Sequence, residues 1–260
     1  MKKSLYGLKQ SPRNFYNFLK AKLEFVGFTQ SGSDQCLFIS DKVICLVYVD
    51  DTLLFAKDMK DIDDIIAALD AAGMELEVED DVAGFLGVHI DRRDDGTIHL
   101  TQKGLIARII QALNIGDLPS KRTPAELGCL GSDPEGDPPA STYSYPSVIG
   151  MLQYLQGHSR PDITFAVSQC ARWTHNPKLS HEKALERIGR YLKGTKDSGL
   201  ILRPAATADF EIDCYVDADF AGTWGFEHPQ DPSCVKSRTG FVIFIMGTPV
   251  VWTSRLQTDI

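Results

Sequence analysis

What this 260-residue sequence lacks narrows its function before any motif is considered. It has no uninterrupted apolar run of about 18 residues, so no membrane-crossing helix is expected. Lys2 and Lys3 lead into Ser4-Leu5-Tyr6-Gly7 without the apolar core of a secretory leader, which points to an intracellular protein. The six cysteines are scattered and form no C-x-x-C pair. Two of them, Cys45 and Cys214, fall in apolar or alternating runs and read as small buried hydrophobes. Zinc held by Cys170, His175 and His181 would lack a fourth ligand at finger-like spacing, so helix and loop roles are the plainer expectation. There is no D-x-D-x-D-G loop, which removes calcium binding of that kind. Internal repeats and low-complexity tracts are absent. Bases are outnumbered 27 to 35, and a net charge of −8 argues weakly against a nucleic-acid partner.

What is present is the makeup of a folded protein, 43% hydrophobic and 24% charged. The length suits one large domain or two of roughly 150 residues. Charge is unevenly spread: Lys2, Lys3, Lys9, Arg13, Lys20 and Lys22 face only Glu24 in the first 27 residues, and acids gather from Asp58 to Asp81. A basic arm of this kind suits phosphate contacts or an ordinary solvated helix face, and composition leaves both open.

Periodicity divides the chain further. Ser11-Pro12 predicts a helix start with a hydroxyl cap, followed by Phe15, Phe18, Leu19, Leu23 and Val26 and stopped by Gly27. Val43–Tyr48 and Thr52–Ala56 are apolar strands at hairpin spacing around Val49-Asp50-Asp51. Ile62, Ile65, Ile66 and Leu69 mark a helix closed by Gly73, and Met74, Leu76 and Val78 alternate with glutamates as a strand would. A hairpin is predicted at Asp95-Gly96, and Thr101 is placed to cap a helix carrying Leu105, Ile109, Ile110 and Leu113. Residues 118–145 are rich in Pro and Gly and read as a linker or long surface loop. Helices follow at 146–156, 161–174 and 180–193, the last capped by Ser180 and stopped by Gly194. Strands are expected at Ile201, 210–216, 241–246 and 249–253.

Asp50 and Asp51 are the candidate chemical centre. Two carboxylates within an apolar hairpin are costly to bury unless a cation neutralises them. Two like charges about 4 Å apart repel by roughly 4 kcal/mol at an effective dielectric near 20, and a divalent ion reverses that sign. Oxygen-only ligands suit magnesium or manganese, which also hold substrate phosphates. A solvated Asp-Asp turn is the common alternative, and the turn alone does not decide.

The neighbouring motifs are more specific. Leu5-Tyr6-Gly7-Leu8-Lys9-Gln10-Ser11-Pro12-Arg13, Ser33-Asp34-Gln35-Cys36-Leu37-Phe38 and Tyr48-Val49-Asp50-Asp51 resemble successive boxes of copia-type retrotransposon reverse transcriptases. Phe85-Leu86-Gly87, Leu100-Thr101-Gln102-Lys103, 145–150, Arg160-Pro161-Asp162-Ile163 and 190–195 continue the resemblance in order. Asp217-Ala218-Asp219-Phe220-Ala221-Gly222 and Ser237-Arg238-Thr239-Gly240 are similar to the start of the family's ribonuclease H domain. The resemblance implies an α+β architecture: a partial palm and thumb (1–117), the Pro/Gly-rich linker (118–145), a helical connection (146–199) and an incomplete ribonuclease H sheet (200–260). It implies Asp50 and Asp51 as catalytic metal ligands, with Mg2+ expected and Mn2+ as the alternative ion. Tyr6, Gly7, Lys9, Gln10 and Arg13 would lie on the template and nucleotide side. Phe85, Leu86 and Gly87 would grip the primer terminus, where glycine allows close backbone approach.

Asp217 sits on the polar side of an alternating run, opposite Phe210, Ile212, Cys214 and Val216, where the family's first ribonuclease H metal ligand is expected. Asp219 reads better as a turn carboxylate. The implied partners are an RNA or DNA template–primer, a deoxynucleoside triphosphate and the rest of a polyprotein, in a cytoplasmic virus-like particle with a nuclear stage. Two-metal nucleotidyl transfer in the family uses a further aspartate upstream of the Leu5-Tyr6-Gly7 segment, and its ribonuclease H adds carboxylates beyond this C-terminus. These 260 residues alone are therefore expected to have negligible polymerase activity and an uncovered apolar sheet face prone to instability or aggregation. A non-catalytic nucleic-acid-binding remnant of a decayed element is the second reading.

Overall fold

The computed structural model describes residues 7–79, 84–203 and 210–258. The chain is a mixture of helices and antiparallel sheets, in two compact units, Met1–Asp80 and Asp81–Ile260. By contacts, the stretch from 84 to 117 groups with the later elements rather than with the first unit.

The first unit contains α1 (Ser11–Phe25), β1 (Thr29–Gln30), β2 (Leu37–Ile39), β3 (Val43–Tyr48), β4 (Asp51–Ala56) and α2 (Met59–Ala71). The strands pair antiparallel in the order β1-β2-β3-β4. Val43, Cys45 and Val47 alternate inward and join Leu19, Leu23, Phe38 and Leu69 in one core. Burial pushes the Cys45 thiol up to about 12, so it packs as a hydrophobe. The opposite sheet face is also apolar: Ile39, Ile44 and Phe55 lie side by side in register, all exposed.

Three expectations change here. Gln10, not Ser11, occupies the capping position: its backbone is already helical and its carbonyl accepts from the Asn14 N–H, so the helix begins one residue early. Phe15 and Phe18 of the expected apolar face are exposed, and only Leu19 and Leu23 of that helix are buried. Residues 74–79 form no strand despite their alternation, because no described strand pairs with them. Gly27 and Gly73 end their helices as predicted, each with positive φ.

The second unit begins with β5 (Gly84–Phe85), β6 (Val88–Arg92), β7 (Ile98–Thr101) and α3 (Lys103–Ala112). It continues with α4 (Tyr145–His158), a 3-10 turn (Pro161–Ile163), α5 (Thr164–Ala171), α6 (Leu179–Gly194) and β8 (Leu200–Leu202). β9 (Ile212–Ala218), β10 (Arg238–Ile245) and β11 (Thr248–Leu256) complete it. The core lies among α3, α4, α5 and α6, where Leu152, Leu155, Ile163, Val167, Leu185, Ile188 and Leu192 are fully buried. At roughly 1.5–3 kcal/mol for each such side chain, this cluster dominates the apolar burial of the unit.

The predicted hairpin at Asp95-Gly96 forms between β6 and β7. β8 pairs with β7, completing the order β5-β6-β7-β8, so it does not join the C-terminal sheet. Thr101 ends β7 and does not cap α3; Gln102 takes that place without a side-chain cap. Lys178, not Ser180, caps α6: the His181 ring accepts the Lys178 N–H, and the Ser180 hydroxyl donates to Asp133 instead.

The Pro/Gly-rich stretch has neither helix nor strand from 118 to 144, yet it is tied along the helices. Arg190 donates to the Pro119 carbonyl (2.7 Å), and the Trp173 indole donates to that of Leu130 (3.2 Å). The Glu182 carboxylate accepts from the Ala140 N–H (2.8 Å), and Glu227 from the Ser132 N–H (3.2 Å). These acceptors satisfy backbone groups that a loop over a packed surface would otherwise leave without partners. Gly131 sits against the Phe226 carbonyl, where an added Cβ would come within 2.0 Å of the oxygen.

β9, β10 and β11 form a three-stranded sheet in the order β11-β10-β9. Its register puts Tyr215, Val242 and Trp252 on one face, and that face meets the helices: the Trp252 indole donates to the Gln156 carbonyl, and Arg238 to the Ser168 hydroxyl. Ile212, Cys214 and Val216 share the other face and are exposed, so Cys214 is not the buried hydrophobe its run suggests.

Candidate active site

The apolar strands β3 and β4 are joined by the shortest common connection, and this places the candidate carboxylates. Tyr48 pairs with Asp51, leaving Val49 and Asp50 as the two central residues. Of these, φ is positive only at Val49 (56°), the pattern of a type II′ turn. Glycine normally takes that position, and a β-branched side chain there is strained. The turn therefore holds its backbone in an unfavourable shape immediately before the two aspartates. Periodicity locates the hairpin but does not reveal this.

Asp50 and Asp51 are both exposed at the hairpin tip. The cost of burying them, which motivated a neutralising ion, does not arise, because the tip projects past the packed part of the sheet. Register puts Asp51 on the face of Tyr48, Ile44 and Phe55, the open side of the sheet. Two adjacent hard oxygen donors fit an ion such as magnesium, which is commonly held by one or two carboxylates with water and substrate phosphates completing its shell. Among the described residues no three His, Cys, Asp or Glu side chains come together as a metal site, so the turn offers a partial set.

The basic segment lies at the start of α1. Gly7, Lys9, Gln10 and Arg13 are exposed, and Gly7 has a φ of 90°; Tyr6 lies outside the described residues. Neither the Lys9 nor the Arg13 side chain forms an ion pair or hydrogen bond among the described residues. The Ser33–Phe38 segment is structural: the Asp34 carboxylate accepts from the Cys36 N–H (2.8 Å), and the Gln35 carbonyl accepts from Tyr16 (3.0 Å) and Gln30 (2.8 Å).

In the second unit, Phe85-Leu86-Gly87 forms the turn between β5 and β6. Phe85 pairs with Val88, and Leu86 (51°) and Gly87 (73°) both have positive φ, as in a type I′ turn. Asp217 is exposed on β9, paired with Gly240 on the same face as Tyr215 and Trp252. The Asp219 carboxylate accepts from the Arg238 N–H (2.6 Å) and the Gly222 N–H (3.3 Å), the turn role expected of it.

The zinc candidates separate. The Cys170 thiol is pushed up to about 12 by burial, and His175 is exposed. His181 has both ring nitrogens engaged: Nδ1 accepts from the Lys178 N–H and Nε2 donates to the Gly131 carbonyl, each at 2.8 Å. The ring stacks on Trp173 at 5.1 Å between centroids. Burial holds its pKa below the ordinary 6.5, so it stays neutral, a loop anchor and not a ligand.

Arg160 and Asp162 form a second charged site that the apolar pattern gives no sign of. The Arg160 guanidinium is 1% exposed and donates to both Asp162 oxygens (2.9 and 2.7 Å), to the Thr195 carbonyl (2.9 Å) and to the Thr195 hydroxyl (2.7 Å). The Tyr191 hydroxyl also donates to Asp162 (2.7 Å). Every strong partner is internal, so this cluster joins α6 to the start of α5.

Comparison with known proteins supplies the context. The family described as reverse transcriptase (RNA-dependent DNA polymerase) matches residues 1–127. Over the whole chain, the sequence is 31% and 32% identical to the retrovirus-related Pol polyproteins from transposons RE2 and RE1 of Arabidopsis thaliana. It is 30% identical over 99% of its length to that from transposon TNT 1-94 of Nicotiana tabacum. The chain spans 17% of the length of the first two and 19% of the third. No solved structure matches.

Proposed function

Because this chain belongs, over residues 1–127, to the reverse transcriptase (RNA-dependent DNA polymerase) family of copia-type retrotransposon polyproteins, we propose that its Asp50-Asp51 turn is the larger part of a polymerase metal site. The observation that carries this is the tip of the β3–β4 hairpin: two adjacent exposed carboxylates on a strained two-residue turn. The reaction class is nucleotidyl transfer from a deoxynucleoside triphosphate to a primer end on a template. Magnesium, with manganese as the alternative, would supply charge neutralisation at the reacting phosphate.

The roles of the chain's own groups follow from their chemistry. Asp50 and Asp51 supply hard oxygen ligands and hold them close by virtue of the short turn. Lys9 and Arg13 are cations without protein partners among the described residues, suited to phosphate contacts, and the Gly7 and Gln10 backbone can approach a strand closely. Tyr6 completes that template and nucleotide side. Phe85-Leu86-Gly87 offers a turn backbone to the primer terminus. Asp217 is assigned as a metal ligand of a ribonuclease H sheet that begins with β9. The domain reading is a partial palm and thumb in 1–117, a tied linker at 118–145, a helical connection in 146–199, and an incomplete ribonuclease H sheet in 200–260. The setting is a cytoplasmic virus-like particle with a nuclear stage.

Because the turn supplies two carboxylates, template-dependent synthesis by a polypeptide of these 260 residues is expected to stay at background. Binding tests the site without requiring turnover. The affinity of the full chain for a primer–template is measured with and without magnesium, in the wild type and in the Asp50→Asn, Asp51→Asn double variant. A magnesium-dependent gain present only in the wild type supports the reading. Binding of equal strength and salt slope in all four conditions favours the non-catalytic remnant.

A further inference from the structure

We propose that Tyr154 is the positioning residue of the Phe85-Leu86-Gly87 turn, holding its backbone in the shape that meets a primer 3′ end. This rests on the assignment of that turn as the primer grip. The Tyr154 hydroxyl donates to the Leu86 carbonyl at 2.5 Å, across 68 residues of sequence. Among the described residues, no other hydrogen bond ties the turn to an element outside its own sheet. The turn needs such a tie. Leu86 is held at a φ of 51°, unfavourable for any residue with a Cβ, and β5 contributes only two paired residues to support it.

The two sides of this hydrogen bond are unequal. Tyr154 stands on α4, whose Leu152 and Leu155 are fully buried. Just beyond it, the Gln156 carbonyl accepts from Trp252 and the Ser159 hydroxyl donates to Gln102 (2.8 Å). Its ring also packs on His158, 4.1 Å between centroids. The helix is thus fixed from several directions while the hairpin is light, and the hydrogen bond fixes the turn to the helix. Tyr154 is 39% exposed, so its hydroxyl adds little to global stability and its effect falls on the shape of the turn.

A nucleic acid meeting that turn would discriminate by its end: a duplex with a recessed 3′ terminus presents a primer end on a continuing template, and a blunt duplex does not. The test uses the full chain and fluorescently labelled duplexes of both kinds at one salt concentration. The wild type is expected to prefer the recessed end. Tyr154→Phe keeps the ring and removes the hydroxyl. It is expected to cut that preference about five-fold, the equivalent of one hydrogen bond of ~1 kcal/mol, with blunt-duplex affinity and thermal midpoint unchanged. Amide exchange at 85–88 should quicken in parallel. A wild-type preference that survives Tyr154→Phe overturns the positioning role and leaves the grip assignment standing. Equal wild-type affinity for both duplexes overturns both. Loss of affinity for both duplexes together with a lowered thermal midpoint assigns Tyr154 to fold stability and overturns the proposal.

Discussion

Replacing Arg160 by Leu tests how the helical core of the second unit is held together. The side chain is 1% exposed and makes four hydrogen bonds, two to Asp162 and two to Thr195. Removing one partner of a buried ion pair costs about 3–5 kcal/mol, because the other is left uncompensated. The two partners are not equivalent. Asp162 is 37% exposed and can regain water when Arg160 is lost, so Arg160→Leu belongs near the lower limit, about 3 kcal/mol. In Asp162→Ala the stranded group is a guanidinium with almost no access to water, and the cost should approach 5 kcal/mol. The double variant leaves no charge behind and should be more stable than Asp162→Ala alone. Trp173, Trp224 and Trp252 all lie in the second unit, so tryptophan fluorescence during thermal unfolding reads that unit. For about 180 residues, 3 kcal/mol corresponds to a midpoint lowered by roughly 6–12 °C. A double variant whose loss equals the sum of the single losses would refute the coupling.

Two further outcomes are specific. Val49→Gly relieves a left-handed valine that costs roughly 1–2 kcal/mol; glycine's extra unfolded-state freedom and the small burial of a 63% exposed side chain offset part of this. The net expectation is about 0.5 kcal/mol of stabilisation in urea unfolding, and a loss of that size would contradict the strained turn. His181 has a folded pKa below its ordinary 6.5, so the unfolded chain takes up the proton more readily. Stability should be full above 6.5 and fall as pH drops below it, a slope seen in urea midpoints between pH 7.5 and 5.5 and flattened by His181→Asn.

Much of this fold is legible in the sequence because its signals are local. The β3–β4 hairpin follows from two apolar runs separated by Val49-Asp50-Asp51, of which Asp51 joins β4, and Asp95-Gly96 has the composition of a turn. Gly27 and Gly73 stop helices because each adopts positive φ after its last turn. The failures come from interactions that sequence spacing does not contain. Met74–Val78 alternates as a strand would but has no described neighbour to pair with, and Ser180 loses the capping position to Lys178, whose N–H donates to the His181 ring. The candidate site divides in the same way. The motif Tyr48-Val49-Asp50-Asp51 locates the carboxylates, whereas the strain at Val49 and the tie from Tyr154 to Leu86 depend on backbone angles and a contact 68 residues away.

Titrating Mn2+ into the chain and following paramagnetic broadening of its amide signals shows whether the Asp50-Asp51 turn binds a divalent ion. Broadening is expected to centre on Val49, Asp50 and Asp51 and to disappear in the Asp50→Asn, Asp51→Asn double variant. Broadening centred instead on the acidic helix α2, at Asp61, Asp63 and Asp64, and unchanged in that variant, would contradict it.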